Sequence, residues 1–317
     1  MQIALFSPYQ YNKPMVSKAF YNDSLRMRAP LNNDVVTFCS NSNDFLSLPP
    51  KQIFSRIKAS LKDSENKLGV GGEAEVWKIK DTDYCVRIPH DSFEKYRTKF
   101  SLVLSEQDKV NHTVAKLGGG ATIMPVIKGY TFCSPNITNK EVAKMIELMP
   151  QKAFDSLLIQ VCNAKKAGLT MDPGWKNIIV NPENQTLSAI DFCKVGEDFD
   201  FNKSIINQIY CSLANNPATN NEQRKICAGK TLLAVINTCN NGSKMNIDLS
   251  QMGFERFVYH LKYHGLVSND RYLKMLETHL KGLENSSMKN LKYPENFNEF
   301  FNHQKIIKVL VKQLFGY

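Results

Sequence analysis

The stretch from Thr170 to Phe192 restricts this chain more than any other. A polar loop, Thr170-Met171-Asp172-Pro173-Gly174-Trp175-Lys176-Asn177, runs into the apolar Ile178-Ile179-Val180. Asn181-Pro182-Glu183-Asn184 marks a turn, and the chain returns through Ile190-Asp191-Phe192. Apolar, β-branched runs on either side of such a turn predict a hairpin. The hairpin brings Asp191 back beside Asn177, so Asp172, Asn177 and Asp191 converge. Hard divalent cations such as Mg²⁺ take oxygen ligands of this kind. Taken singly, each residue also reads as ordinary turn chemistry. Their order and spacing together carry the reading.

The remainder divides into a strand-rich front half and a helical back half. Asn, Ser and Pro crowd Asn32–Pro50, which reads as loop, and Ile53, Ile57 and Leu61 recur at a helical spacing. Glu75-Val76-Trp77-Lys78-Ile79 and Tyr84-Cys85-Val86-Arg87-Ile88 flank Asp81-Thr82-Asp83 and predict a second hairpin. Phe93, Tyr96, Phe100, Val103, Val110 and Val114 predict a helix over 92–117, stopped by Gly118-Gly119-Gly120. Strands are expected at 122–132 and 141–149, and a helix at 153–167. Helices are expected at 202–214, 221–239, 251–263, 268–283 and 303–315. A small sheet followed by helices predicts an α+β fold.

Gly69-Val70-Gly71-Gly72-Glu73-Ala74-Glu75-Val76 is a second candidate motif. Glycines let a backbone approach phosphate oxygens closely. The same run is also an ordinary hairpin turn. A strand comes after it, whereas a dinucleotide-binding loop would open a helix.

With these residues in place, the sequence resembles the protein-kinase-like superfamily, which includes small-molecule phosphotransferases. Gly69-x-Gly71-x-x-Ala74-x-Val76 resembles the glycine-rich loop, with Gly72 inside it. Arg87 stands where the family has its phosphate-binding Lys, and Glu106 where it has the paired Glu. Asp172 and Asn177 keep the D-x-x-x-x-N spacing, and Asp191-Phe192 takes the place of D-F-G. The resemblance covers roughly residues 65–215.

It implies a bilobal fold: a sheet lobe over 66–150 and a helical lobe over 151–250. Residues 1–65 and 251–317 would be N- and C-terminal extensions, the latter helical. It implies ATP with Mg²⁺ or Mn²⁺ as cofactors. Asp172 would orient the acceptor hydroxyl and take its proton. Asn177 and Asp191 would hold the metal, and Arg87, paired with Glu106, would hold phosphate. Gly69, Gly71, Gly72 and Val76 would enclose the nucleotide. Met145–Pro150 would be the hinge meeting adenine, with Glu147 and Met149 as its contacts. The lack of A-P-E is similar to bacterial effector kinases delivered into host cytoplasm, which act on host proteins or need a host activator. Two alternatives stand beside this: a pseudokinase scaffold and a small-molecule kinase.

The departures are specific. Arg is a planar fork where the family has a point charge, so Lys95 or Lys99 is an alternative source of charge. Thr170-Met171 replaces H-R, and Cys193 replaces the last glycine of D-F-G.

The formal charge of +10 favours an anionic partner. Inositol polyphosphates or anionic phosphoinositide membranes suit it, while nucleic acid lacks any supporting motif. The eight cysteines form no C-x-x-C pair, which argues against zinc and for reduced thiols. No secretory signal or membrane-spanning run is expected. Near the C-terminus Lys305, Lys308 and Lys312 lie on one helical face, opposite Ile306, Ile307, Leu310, Val311 and Leu314. That pattern suits a membrane-surface helix or a helix packed on the core.

Overall fold

The computed structural model describes residues 43–90, 100–134, 136–194, 204–240, 249–288 and 294–316. The fold is α+β. Its sheet is built from β1 (Lys67–Val70), β2 (Ala74–Lys78), β3 (Tyr84–Pro89), β4 (Phe100–Ser101), β5 (Ala115–Leu117) and β6 (Thr122–Pro125). All neighbours are antiparallel, in the order β1-β2-β3-β6-β5-β4. The expected β2–β3 hairpin forms, and Asp81 takes the left-handed turn position (φ 58°) that Asp tolerates.

Cross-strand pairing sorts the sheet into two faces. Trp77, Val86, Ile123 and Ala115 form one row across four strands. They belong to a hydrophobic cluster completed by Phe45 from α1 (Asn43–Ser47) and by Ile53 and Ile57 from α2 (Pro50–Ser60). Pro50 starts α2 without losing a helix bond. Ser60 at its end accepts from the Lys80 N–H at 2.8 Å, fixing helix to hairpin. Residues 43–60, read as part of an extension, are thus a structural half of this core. Burying each such Ile stabilises the fold by roughly 1.5–3 kcal/mol.

The helix expected over 92–117 is not one helix. Residues 91–99, including Lys95 and Lys99, lie outside the described residues. From residue 100 the chain instead forms β4, a short α3 (Glu106–Val110) and β5. Ser105 opens α3 with a capping box to Asp108. His112, at φ 58°, ends it. Thr113-Val114 then extend, with Val114 N–H bonded to the Ile123 carbonyl. The apolar spacing misled because Val103 points outward at 86% exposure.

The strand expected at 141–149 is also overturned: the segment is α4 (Asn139–Leu148). Thr138 and Glu141 form a capping box, and Val142, Ala143 and Ile146 make its buried face. The strand expected at 122–132 ends at Pro125.

The second half holds α5 (Gln151–Lys166), α6 (Ile205–Ala214), α7 (Asn221–Asn240), α8 (Phe254–Tyr263), α9 (Asp270–Met288) and α10 (Pro294–Phe315). α6 is buried nearly all round, as a central helix must be. One hydrophobic cluster runs from Phe132 through Leu157, Tyr210 and Phe257 to Leu310 and Phe315. Residues 251–317, read as an extension, therefore share the core of the helical half. The apolar stripe of α10 (Ile307, Leu310, Val311) is buried in that cluster. It is thus not available for insertion into a membrane. Among the described residues no helix is long and apolar enough to cross one.

Candidate functional site

Two two-stranded sheets come after α5. β7 (Thr170–Met171) pairs with β10 (Phe192–Cys193), placing Met171 opposite Phe192. β8 (Ile178–Asn181) pairs with β9 (Thr186–Ala189), placing Ile178 opposite Ala189. Asp172 immediately follows β7, and Asp191 immediately precedes β10. The two acids therefore leave the same end of one ladder. Asn177 immediately precedes β8 at the end of the other ladder, and its carbonyl accepts from the Ile190 N–H at 2.9 Å. The hairpin read from the sequence forms, and it brings the backbones of Asp172, Asn177 and Asp191 to the joint of the two ladders.

The loop between them is fixed by its own backbone. The Asp172 carbonyl accepts from Gly174 N–H at 2.7 Å and from Asn177 Nδ2 at 3.0 Å. Asn177 is only 2% exposed, whereas Asp172 and Asp191 are exposed. Asp191 holds φ 65°, in the left-handed region. Asp adopts this region more readily than most residues, as Asp81 also does. Cys193 donates its thiol to the Thr170 carbonyl at 3.7 Å.

A second support was missed in the sequence. Asn111, just past α3, clasps the Phe192 backbone. Its Nδ2 donates to the Phe192 carbonyl, and its Oδ1 accepts from the Phe192 N–H, both at 2.9 Å. His112 Nε2 lies 3.1 Å from the Ala189 carbonyl. These residues tie the end of α3 to both sides of Asp191, 81 positions away at Phe192. Nothing in their sequence context marks them beyond an Asn at a helix end.

On the sheet, Gly69, Val76, Arg87, Thr122 and Lys116 stand opposite one another across five strands. This row lies on the face away from α2. The β1–β2 turn, Gly71-Gly72-Glu73, is held by Gly71 N–H to the Ala74 carbonyl and by His90 Nε2 to the Gly71 carbonyl, both at 2.8 Å. A Cβ built on Gly69 meets nothing within 4 Å, and on Gly71 only a van der Waals contact. Neither packing nor a positive φ requires glycine at these two positions.

The Arg87–Glu106 pair does not form. Arg87 lies 3.6 Å from the exposed Glu73, while Glu106 pairs with Lys109 at 2.7 Å at the start of α3. Exposed pairs of this kind are worth about 1 kcal/mol or less and exchange readily.

Glu147 and Met149 do not line an open hinge. Met149 is buried, and its N–H donates to the Met145 and Ile146 carbonyls. The carbonyls of Glu147 and Met149 accept from Lys230 Nζ at 2.7 and 2.5 Å. Burial lowers the Lys230 pKa from its ordinary value, against a raising effect of Cys227 and Glu147. The Glu147 carboxylate engages Lys144 and Gln223. The link from β6 to the helices lies earlier. Tyr130 exchanges two backbone bonds with Val180 of β8, at 2.9 and 2.8 Å. Gly129 (φ 137°) beside it admits no Cβ, which would sit 2.5 Å from the Val180 carbonyl.

Among the described residues, no group of three or more His, Cys, Asp or Glu is placed to hold a metal. The donors at the ladder joint are carboxylates and one amide oxygen. Mg²⁺ arriving with phosphates needs one or two carboxylates rather than a full protein cage. That donor chemistry fits a nucleotide-borne cation. Compared with known proteins, the chain matches no family model, no curated sequence and no solved structure.

Proposed function

We propose that this chain is a divergent protein-kinase-like phosphotransferase, using ATP with Mg²⁺ or Mn²⁺ at a site between the sheet and the helical half. The observation that carries the reading is the meeting of Asp172, Asn177 and Asp191 at one ladder joint, with Asp191 held in a left-handed conformation.

In this reading Asn177 and Asp191 hold the cation. A cation held there would supply positive charge to offset that of the nucleotide phosphates. Asp172, exposed one residue past β7, orients an acceptor hydroxyl and takes its proton. The hydroxyl oxygen bonds to the γ-phosphorus as the bond to the β-phosphate oxygen breaks, and ADP leaves. Arg87, on the sheet face away from α2 beside Val76, turns from Glu73 to the phosphates. The backbone N–H of Gly72 at the turn points to them, while that of Gly71 keeps the turn closed on the Ala74 carbonyl. On the resemblance, the acceptor is a protein hydroxyl in a host cell.

A pseudokinase scaffold is the second reading. It is favoured by one observation, the engagement of Arg87 with Glu73 instead of Glu106.

The test is transfer of radiolabel from ATP, labelled on its γ-phosphate, to host-lysate proteins with Mg²⁺ or Mn²⁺. The wild-type chain is expected to transfer label. Asp172→Ala and Asp191→Ala, both folded by circular dichroism, are expected to lose about 10²–10⁴-fold. Metal-dependent ATP binding without transfer would select the scaffold. Transfer unaffected by Asp191→Ala would sink the assignment.

A further inference from the structure

Phe301, Gln304, Lys305 and Lys308 succeed one another on α10 at helical spacing and line a cavity of about 420 Å³. They form the stripe beside the one that buries Ile307, Leu310 and Val311. Their chemistry is mixed in a way that core packing does not require. Lys305 and Lys308 are exposed, and neither has an ion-pair partner among the described residues. Phe301 is 53% exposed and stacks with Phe297 at 6.3 Å between ring centroids. Gln304 is the unusual member. It is only 3% exposed, and its Nε2 has no hydrogen-bond partner among the described residues.

An amide donor closed off from water and left unpaired destabilises the fold. Rotation of the Gln304 amide toward the cavity it lines would let a ligand oxygen supply the missing acceptor. Two ammonium groups one helical turn apart call for an anion with several oxygens, and lysine is a point-charge phosphate binder. The half-exposed Phe301 ring supplies an apolar wall next to those charges.

We propose that this stripe of α10 is a binding site for a phosphate monoester. Lys305 and Lys308 neutralise the phosphate, Gln304 Nε2 donates to one of its oxygens, and Phe301 covers the organic part. The site uses no residue of the ladder joint and stands independently of the phosphotransferase reading. Its phosphate comes from either a soluble polyphosphorylated molecule or a lipid headgroup.

The experiment uses the full chain at about 0.15 M salt, where weak exposed charge effects are screened. Inositol hexakisphosphate is titrated by calorimetry. Phosphatidylcholine vesicles, with and without phosphatidylinositol bisphosphate, are tested by co-sedimentation. The wild-type chain is expected to bind at least one probe. Lys305→Glu with Lys308→Glu should weaken binding about tenfold or more. Gln304→Leu should weaken it about threefold or more while leaving the melting temperature unchanged or raised, since an orphan donor is removed. Binding of the soluble probe assigns a free ligand. Binding of bisphosphate vesicles alone assigns a headgroup. Binding of neither probe, or equal affinity in the Lys305/Lys308 variant, overturns the proposal.

Discussion

Asp191 is the residue on which the account turns, because it leaves the ladder end in a left-handed conformation with its side chain exposed. Backbone bonds of Ile190 and Phe192 hold that conformation, so the question is what the presented carboxylate faces. The glycines of the β1–β2 turn pose the same question. Gly69 sits in a strand, where glycine is less stable than alanine by about 0.5–1 kcal/mol. A methyl there meets nothing in the protein. Gly69→Ala is therefore expected to leave stability unchanged or raise it by up to about 1 kcal/mol in urea denaturation. In the same variant ATP affinity should fall. Unchanged ATP affinity would mean the glycine serves only the turn. At this scale residue type and spacing marked Asp172, Asn177 and Asp191, and the hairpin that brings their backbones together forms. The sequence was silent on Asn111, whose role depends on a contact with a residue 81 positions away.

At the scale of elements, the two hairpins were legible because each has apolar runs around a turn with strong local chemistry. The helices after residue 204 were legible because their apolar residues face a single large core. The segment 100–117 was not, because short strands and a one-turn helix carry too few residues to show a period. α4 could have been read from Thr138 and Glu141, a capping box, but its Val and Ile content suggested a strand. Its helical state also displaced the expected hinge, since Lys230 from α7 takes up the carbonyls at its end. The link that matters at this scale is α3 to β10 through Asn111. Asn111→Ala leaves the Phe192 N–H and carbonyl without their partner. It is expected to cost about 1–3 kcal/mol in denaturation experiments. Affinity for ATP with Mg²⁺ should also fall about tenfold, as for the loss of a residue that orients a metal ligand. A stability loss with no change in that affinity would make Asn111 purely structural.

At the scale of the molecule there are two hydrophobic clusters, and the Tyr130–Val180 bridge and the Asn111–Phe192 clasp tie the segments leaving the sheet strands to the helical one. The helical cluster carries a pH sensitivity. His260 of α8 is 8% exposed, and its Nδ1 has no hydrogen-bond partner among the described residues. Burial, with the positive fields of His264 and Arg256, pushes its pKa from 6.5 down to about 4. The unfolded chain then binds a proton that the folded chain refuses between those values. Stability is therefore complete above about pH 6.5 and falls as the pH drops toward 4, by up to about 3 kcal/mol. His264 and His279 are shifted in the same direction, burial being the larger cause in each. Urea melts across this range should show the decline, and His260→Phe should flatten part of it. A pH-independent wild-type midpoint would contradict this account of His260.

The central claim is that Asp191 and Asn177 create a metal-dependent nucleotide site. Calorimetric titration of the full chain with ATP, in excess Mg²⁺ and then in EDTA, tests it most directly when repeated on Asp191→Ala. The account predicts that wild-type affinity falls severalfold or more in EDTA, and that Asp191→Ala binds weakly and without regard to metal. ATP binding that is absent, or that is identical in EDTA and in Asp191→Ala, would contradict it.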